Sequence, residues 1–331
     1  MLNKRGQGEQ FNWIFVIVAG AVILGFFVMF TFKYIELQEK RQDVETVRFF
    51  GSGVLGASSK LQVGSGGAAI DSQGDGGLRF GYNVNLGYLC NEDDATILIN
   101  GGENAYYELE DEIVFINEEV KVGAVTGLDL WILPWNFPFH ITNFVYLANS
   151  KDKFYLIYDQ NSNDFVNNEI EISSVFNLEK VQEQQIKLGS NTKIVFFTNQ
   201  IPSASSIVSM KKNFENINFA HVSLSDKEIR FFEDNSWSGP AKYYSKEQLY
   251  GAIFSNDAEN FECNINRSLD RVKVVAQIYS DKAKLLSQID RRAGCQYTQI
   301  ANALSQYAAG NFELQEAINE YNLAGGCLWV F

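Results

Sequence analysis

The sequence predicts an α+β protein carried on one membrane-crossing helix, and three changes of pattern along the chain support that. Residues Phe11 to Phe32, FNWIFVIVAGAVILGFFVMFTF, are 22 in a row without a charge. From Leu78 to about Leu178 the apolar positions alternate or run on over strand lengths, and from Ser245 onward they recur at helical spacing. A helix, then strands, then helices, each in its own part of the chain, is the pattern of an α+β architecture.

As a helix rising 1.5 Å per residue, the apolar stretch covers about 33 Å, the thickness of a bilayer's hydrocarbon core. A lone helix is stable there because its interior N–H groups are all bonded within it. The other reading, a core helix of a soluble protein, fits apolar runs of about 10 to 14 residues better. Residues 1–33 are therefore expected to be a cytoplasmic N-terminus and a transmembrane helix, with the lipid bilayer as first partner. A cleaved secretory signal would need a shorter apolar region ending in a small-residue site, which the stretch lacks.

Ahead of the stretch stands Lys4-Arg5-Gly6-Gln7. With the helix that follows, over about residues 4–35, this resembles the class III signal of archaeal type IV pilin-like proteins. The resemblance implies cleavage between Gly6 and Gln7, an N-terminus inside the cell, and other surface or pilin-like subunits as partners. One departure matters: bacterial type IV pilins carry a Glu at the fifth mature position, where this chain has Phe11 and its nearest acid is Glu9. A shared targeting signal is expected rather than a shared filament. Lys33, Lys40, Arg41 and Arg48 beyond the span would by simple counting hold the large domain in the cytoplasm. Three of the four sit among Glu36, Glu39, Asp43 and Glu45, and large domains translocate largely regardless of charge, so an extracytoplasmic domain on the cell membrane is expected.

Residues 34–63 read as a stalk helix. There is no proline, no glycine before Gly51, a Glu36 to Lys40 pair, and Val44, Val47, Val54 and Leu55 stand at helical spacing. The glycine-rich stretch 64–77 removes helix and strand propensity alike and reads as a hinge. Within it Asp71, Gln73 and Asp75 match the first half of an EF-hand calcium loop, but the twelfth place is Tyr82, which cannot supply the closing bidentate carboxylate. A flexible acidic loop is expected there, with no cofactor.

Residues 78–190 read as an antiparallel β-rich domain, with Phe154 to Tyr158 and Glu169 to Ile172 as strands and turn clusters between the runs. The aromatic-rich Leu130 to Tyr146 reads as core plus an edge turn, or else as an exposed aromatic platform for a ligand. Residues 191–244 read as a small β-α-β-β block: a buried strand Lys193 to Thr198, a helix starting at Pro202-Ser203, and strands Phe219 to Leu224 and Glu228 to Phe232. No glycine-rich phosphate loop follows the first strand, so nucleotide binding is not indicated. Residues 245–331 are helical: a Ser245/Gln248 capping box, a stripe from about Asp257 to Arg291, and helices around Tyr297 to Ala308 and Glu313 to Asn322.

Composition narrows the function. The net charge of −13 repels phosphate backbones, so nucleic acid is not an expected partner. His140 and His221, the two histidines, fall in different strands, and neither reads as part of a triad or a zinc motif. Cys90, Cys263, Cys295 and Cys327 lack Cys-x-x-Cys spacing, which leaves disulfides. An unbroken helix from Phe261 to Ile289 keeps Cys263 and Cys295 some 48 Å apart, beyond the ~7 Å reach of a disulfide. The expected pairs are Cys295 with Cys327 and Cys90 with Cys263; if the last two helices do not turn at Gly310, Cys327 reaches toward Cys263 instead. The leading expectation is a non-enzymatic, single-pass surface protein for assembly or adhesion. A membrane-tethered enzyme and a cytoplasm-facing scaffold are the alternatives.

Overall fold

The computed structural model describes residues 6–49, 62–63, 66–70, 75–80, 82–91, 94–101, 105–109, 112–123, 127–182, 192–213, 216–290, 292, 294–322 and 328–331. The protein is a mixed α+β structure with a long apolar N-terminal helix, three sheets and C-terminal helices.

Helix α1 runs without a break over Gly6–Phe49, 44 residues. From Phe15 to Ile35 nearly every side chain is exposed, including large apolar ones all round the helix, which is the surface of a helix long and apolar enough to cross a membrane. Its far end is not a free stalk. Thr46 is buried, its hydroxyl lies 2.7 Å from that of Tyr82, the Tyr82 hydroxyl donates to the Gln42 carbonyl, and Asn100 Nδ2 donates to Asp43 at 2.7 Å. The first of these ties comes nine residues past Lys33, about 14 Å along the helix. Val54 and Leu55 lie outside the described residues.

Strand β1 (Gln62–Val63) falls where the end of the stalk helix was expected, and β2 (Gly66–Ile70) and β3 (Asp75–Arg79) replace the expected hinge. A Gly-rich stretch can pair when a long neighbour supplies the ladder, and here β3 lies along β9 (Gly127–Asn136). With β10 (His140–Asn149) and β7 (Ile113–Phe115) they make a six-stranded sheet, order β1-β2-β3-β9-β10-β7, antiparallel except for β7 against β10. Strands β4 (Val84–Cys90), β5 (Ala95–Ile99), β6 (Tyr106–Leu109) and β8 (Glu119–Val122) form a four-stranded antiparallel sheet, order β6-β5-β4-β8. Leu128, Leu130, Val145 and Leu147 from the first sheet meet Leu86, Tyr88, Ile97 and Val120 from the second. The other face of the first sheet, with Trp131, Trp135, Phe144 and Tyr146, is buried in the main core. Strands β9 and β10 are covered on both faces, which is why their sequence runs apolar and aromatic instead of alternating. The exposed aromatic platform is thus overturned: Trp135 is fully buried, and Phe137 and Phe139 nearly so.

The third sheet corrects the domain boundary at 190/191. It begins at β11 (Lys153–Tyr158), and its order is β12-β11-β13-β14-β15-β16, with β12 Asn177–Gln182, β13 Thr192–Phe197, β14 Ile217–Ser223, β15 Glu228–Glu233 and β16 Ser236–Trp237; β17 (Ala241–Lys242) also pairs β15. β12, β11, β13 and β14 are parallel, against the antiparallel expectation for the β-rich part. The alternation Glu169 to Ile172 is not a strand: a π-helical turn covers Phe165–Glu169, and Ile170 and Ile172 drop into the main core from the irregular segment after it.

Helix α2 (Ala204–Asn213) covers one face of this sheet through Ile207. On the other face lie α3 (Lys246–Phe254) and α4 (Ala258–Ile289), packed between the first and third sheets, with α5 (Tyr297–Ala308) packed on α4 and α6 (Gln315–Asn322) on α5. Ser245 caps α3 by accepting from Gln248 N, while the Gln248 side chain accepts from Tyr244 N rather than from the cap residue itself.

Candidate functional site

Two ends of the parallel sheet are candidates. In open parallel sheets ligands settle at the carboxyl ends of strands where the strand order reverses, here between β11 and β13. That crevice is filled by the chain's own turn. Asp159 accepts from the backbone N–H of Asn161, Ser162 and Asn199 and from the Ser162 hydroxyl, and Ser162 also hydrogen-bonds the Phe197 carbonyl. Burial pushes the Asp159 carboxyl up, but these four donors outweigh it and hold the group below the ordinary range. His221, one strand over, is buried with Nε2–H donating to the Thr198 carbonyl at 2.8 Å and its ring edge-on to Trp237; burial lowers its pKa. It is a satisfied core histidine. His140 is exposed at the start of β10.

At the opposite, N-terminal ends of β11, β13 and β14 a cleft of about 550 Å³ opens, within the range of small-ligand sites. Its walls are β8 and the end of β10 on one side, the strand starts on the other, and the α3–α4 junction at Asn256. Lys193, the second residue of β13, is 4% exposed and lies on the strand's main-core face with Val195 and Phe197. Its ammonium donates to the Ser255 carbonyl at 2.6 Å and sits 4.9 Å over the Phe231 ring. Burial pushes its pKa down to about 7, against the opposing pull of Asp257 and Glu233. Those two carboxylates are held at the start of α4, where Asp257 accepts from Asn260 N and Glu233 from Ala258 N. Nearby, the Ser255 hydroxyl is buried without a partner among the described residues.

Among the strand starts on the same wall, Asp152, just before β11, is pushed up to about 6 by burial and by the Asp129 charge, with the Asn149 backbone pulling the other way. Half-buried Asn117, Asn218 and Asn256 line the walls, and exposed Lys211 stands at the rim, none with a side-chain hydrogen bond among the described residues. The cleft therefore joins shifted titratable groups to amides with spare donors and acceptors, the combination that marks functional sites.

No known family, curated protein or solved structure matches this chain. The site rests on its geometry alone. Among the described residues no group of three or more His, Cys, Asp or Glu is placed to hold a metal. Of the calcium candidates, Asp71 and Gln73 lie outside the described residues, and Asp75 starts β3 opposite Trp131. Gly6 begins α1, and Gln7 follows it in the same helix.

Cys90 and Cys263 form a disulfide, Cα atoms 6.0 Å apart, tying β4 to α4. Around it the Tyr88 hydroxyl donates to Asn264 Oδ1 at 2.6 Å, Asn264 Nδ2 donates to the Val114 carbonyl, and Arg267 reaches the Leu109 carbonyl. Burial pushes the Tyr88 phenol up to about 12, so this joint stays neutral at its tyrosine. Cys327 lies outside the described residues, and with it the expected pair to Cys295; no described cysteine is free.

Lys193 reads in the sequence as part of a buried strand, and its role in the cleft comes only from the structure. One lysine opening an otherwise apolar strand, Lys193-Ile-Val-Phe-Phe-Thr, was the available signal. Asp152, Asn218 and Asn256 carry no such mark.

Proposed function

We propose that this chain is a non-enzymatic, single-pass, membrane-anchored cell-surface protein, pilin-like in its targeting, whose extracytoplasmic domain serves in surface assembly or adhesion. The observation that carries the reading is α1. One continuous helix is apolar and exposed where lipid would cover it and, about 14 Å later, hydrogen-bonded to Tyr82 and Asn100 at the edges of the four-stranded sheet, so the domain is held close to the bilayer. The Cys90–Cys263 disulfide supports an oxidising compartment and weighs against the cytoplasm-facing scaffold. Other pilin-like subunits are the partners this reading favours.

A membrane-tethered enzyme is the second reading, favoured by Lys193 and Asp152, both shifted toward neutral pH in one cleft. Against it, neither histidine reaches that cleft.

The test is protease shaving of intact cells that contain a prepilin peptidase, followed by N-terminal sequencing of the anchored fragment. The expected result is loss of the domain from intact cells, a mature N-terminus at Gln7, and no processing in Gly6→Leu. A domain that is cut only after lysis overturns the surface placement, and a chain still starting at Met1 overturns the pilin-like targeting.

A further inference from the structure

We propose that the cleft at the starts of β11, β13 and β14 binds an acidic saccharide, with Lys193 and Lys211 taking its carboxylate and Asn117, Asn218 and Asn256 taking its hydroxyls. The inference names a ligand for the surface domain and rests on the proposed function only for where that ligand is met.

The lining dictates the chemistry. An ammonium has three donors, and Lys193 uses one, on the Ser255 carbonyl. A buried cation with spare protons calls for an anion, and a carboxylate accepts several hydrogen bonds at once. The three amides each offer donors and an acceptor from a half-buried position, and none spends them on the described residues. Vicinal hydroxyls, each donor and acceptor together, satisfy such amides; a fatty or aromatic ligand would leave them unpaired. Phe154, the ring among the lining residues, is buried, so no aromatic face is free for stacking. The ligand is therefore held by its polar edges.

The local charge gives no net positive field: Lys121 pairs with Glu119 at 3.3 Å, and Asp257 and Glu233 stand beside Lys193, so an anion would be held here by the hydrogen bonds of Lys193 and Lys211.

The experiment is calorimetry on the full chain in detergent, with trigalacturonate, its methyl ester and glutarate as probes. The ester keeps the hydroxyls and loses the charge, whereas glutarate keeps the charge and loses the hydroxyls. Trigalacturonate is expected to bind about tenfold or more tightly than either, and Lys193→Met to lose that margin. The groups facing Lys193 are Asp257 and Glu233 from the α4 start and β15, and around the cleft Glu119, Lys121, Asp152 and Lys211. Between pH 6 and 8.5 the lysine loses charge and Asp152 gains it, so wild-type affinity for the acid falls while affinity for the ester stays level. This arm and Asn256→Ala, expected to weaken binding about threefold or more, decide the matter if Lys193→Met does not fold. Equal binding of ester and acid, binding of glutarate as tight as trigalacturonate, or no binding of any probe overturns the proposal. Each of these outcomes leaves the shaving result untouched.

Discussion

At the C-terminal ends of β11 and β13, Asp159 and Ser162 are tied to each other, to Asn199 and to Phe197, whereas at the N-terminal ends, among the described residues, Lys193 keeps one hydrogen bond and the Ser255 hydroxyl has none. The first end is where a parallel sheet ordinarily takes its ligand, and here a turn of the same chain occupies it. The second end holds polar groups that folding alone does not satisfy. Buried polar atoms without partners cost stability, so the end that keeps them is the one with something left to bind.

The largest expected effect sharpens the cost of the open end. Lys193 titrates at about 7 in the folded chain and near the ordinary value of about 10.4 when unfolded. Between those values the unfolded chain binds the extra proton, so stability rises with pH through this window, on the order of 5 kcal/mol in all. Below pH 7 the full cost of burying the ammonium remains. Replacing Lys193 with Met removes that step, and chemical denaturation of both proteins from pH 6 to 10 should show their stability difference shrinking as pH rises. Parallel curves would mean that this lysine is not the buried titrating group.

The closed end should behave in the opposite way. Ser162→Ala strips the Phe197 carbonyl and Asp159 of a hydroxyl donor and is expected to cost about 1–2 kcal/mol at every pH from 6 to 9, read as a lower denaturation midpoint with unchanged slope. No loss of stability would show that the turn is an occupant of the crevice without being a part of its structure.

Smallest of all, Asn218→Ala at the open end should change stability by less than about 0.5 kcal/mol, since the amide has no partner among the described residues. A larger loss would place Asn218 in the framework and erase the contrast between the two ends.

Much of the fold was legible because its signals are local. The stripe from Asp257 became α4, capped by Asp257 on Asn260 N, and the helices near Tyr297 and Gln315 fall where their spacing put them. The candidate site was nearly illegible. Its residues come from β8, β10, β11, β13, β14 and the α3–α4 junction, over 100 positions apart in sequence, and asparagines in a cleft look the same in a sequence as asparagines in turns.

What the sequence by itself determined, then, is whatever one segment decides alone: an uncharged run long enough for a bilayer, a capped helix, a rise per residue that keeps Cys263 from Cys295. Tertiary structure decided the rest. Strands β11, β13 and β14 carry buried runs that would suit either direction of pairing, and only the crossovers between them made the sheet parallel. The Gly66–Ile70 segment became a strand because a ladder beginning at β9 reached it through β3. The charge of Lys193 acquired its meaning from Phe231, Ser255, Asp257 and Glu233, all at least 38 residues away, because desolvation is a property of the surroundings and no residue carries it in its own identity.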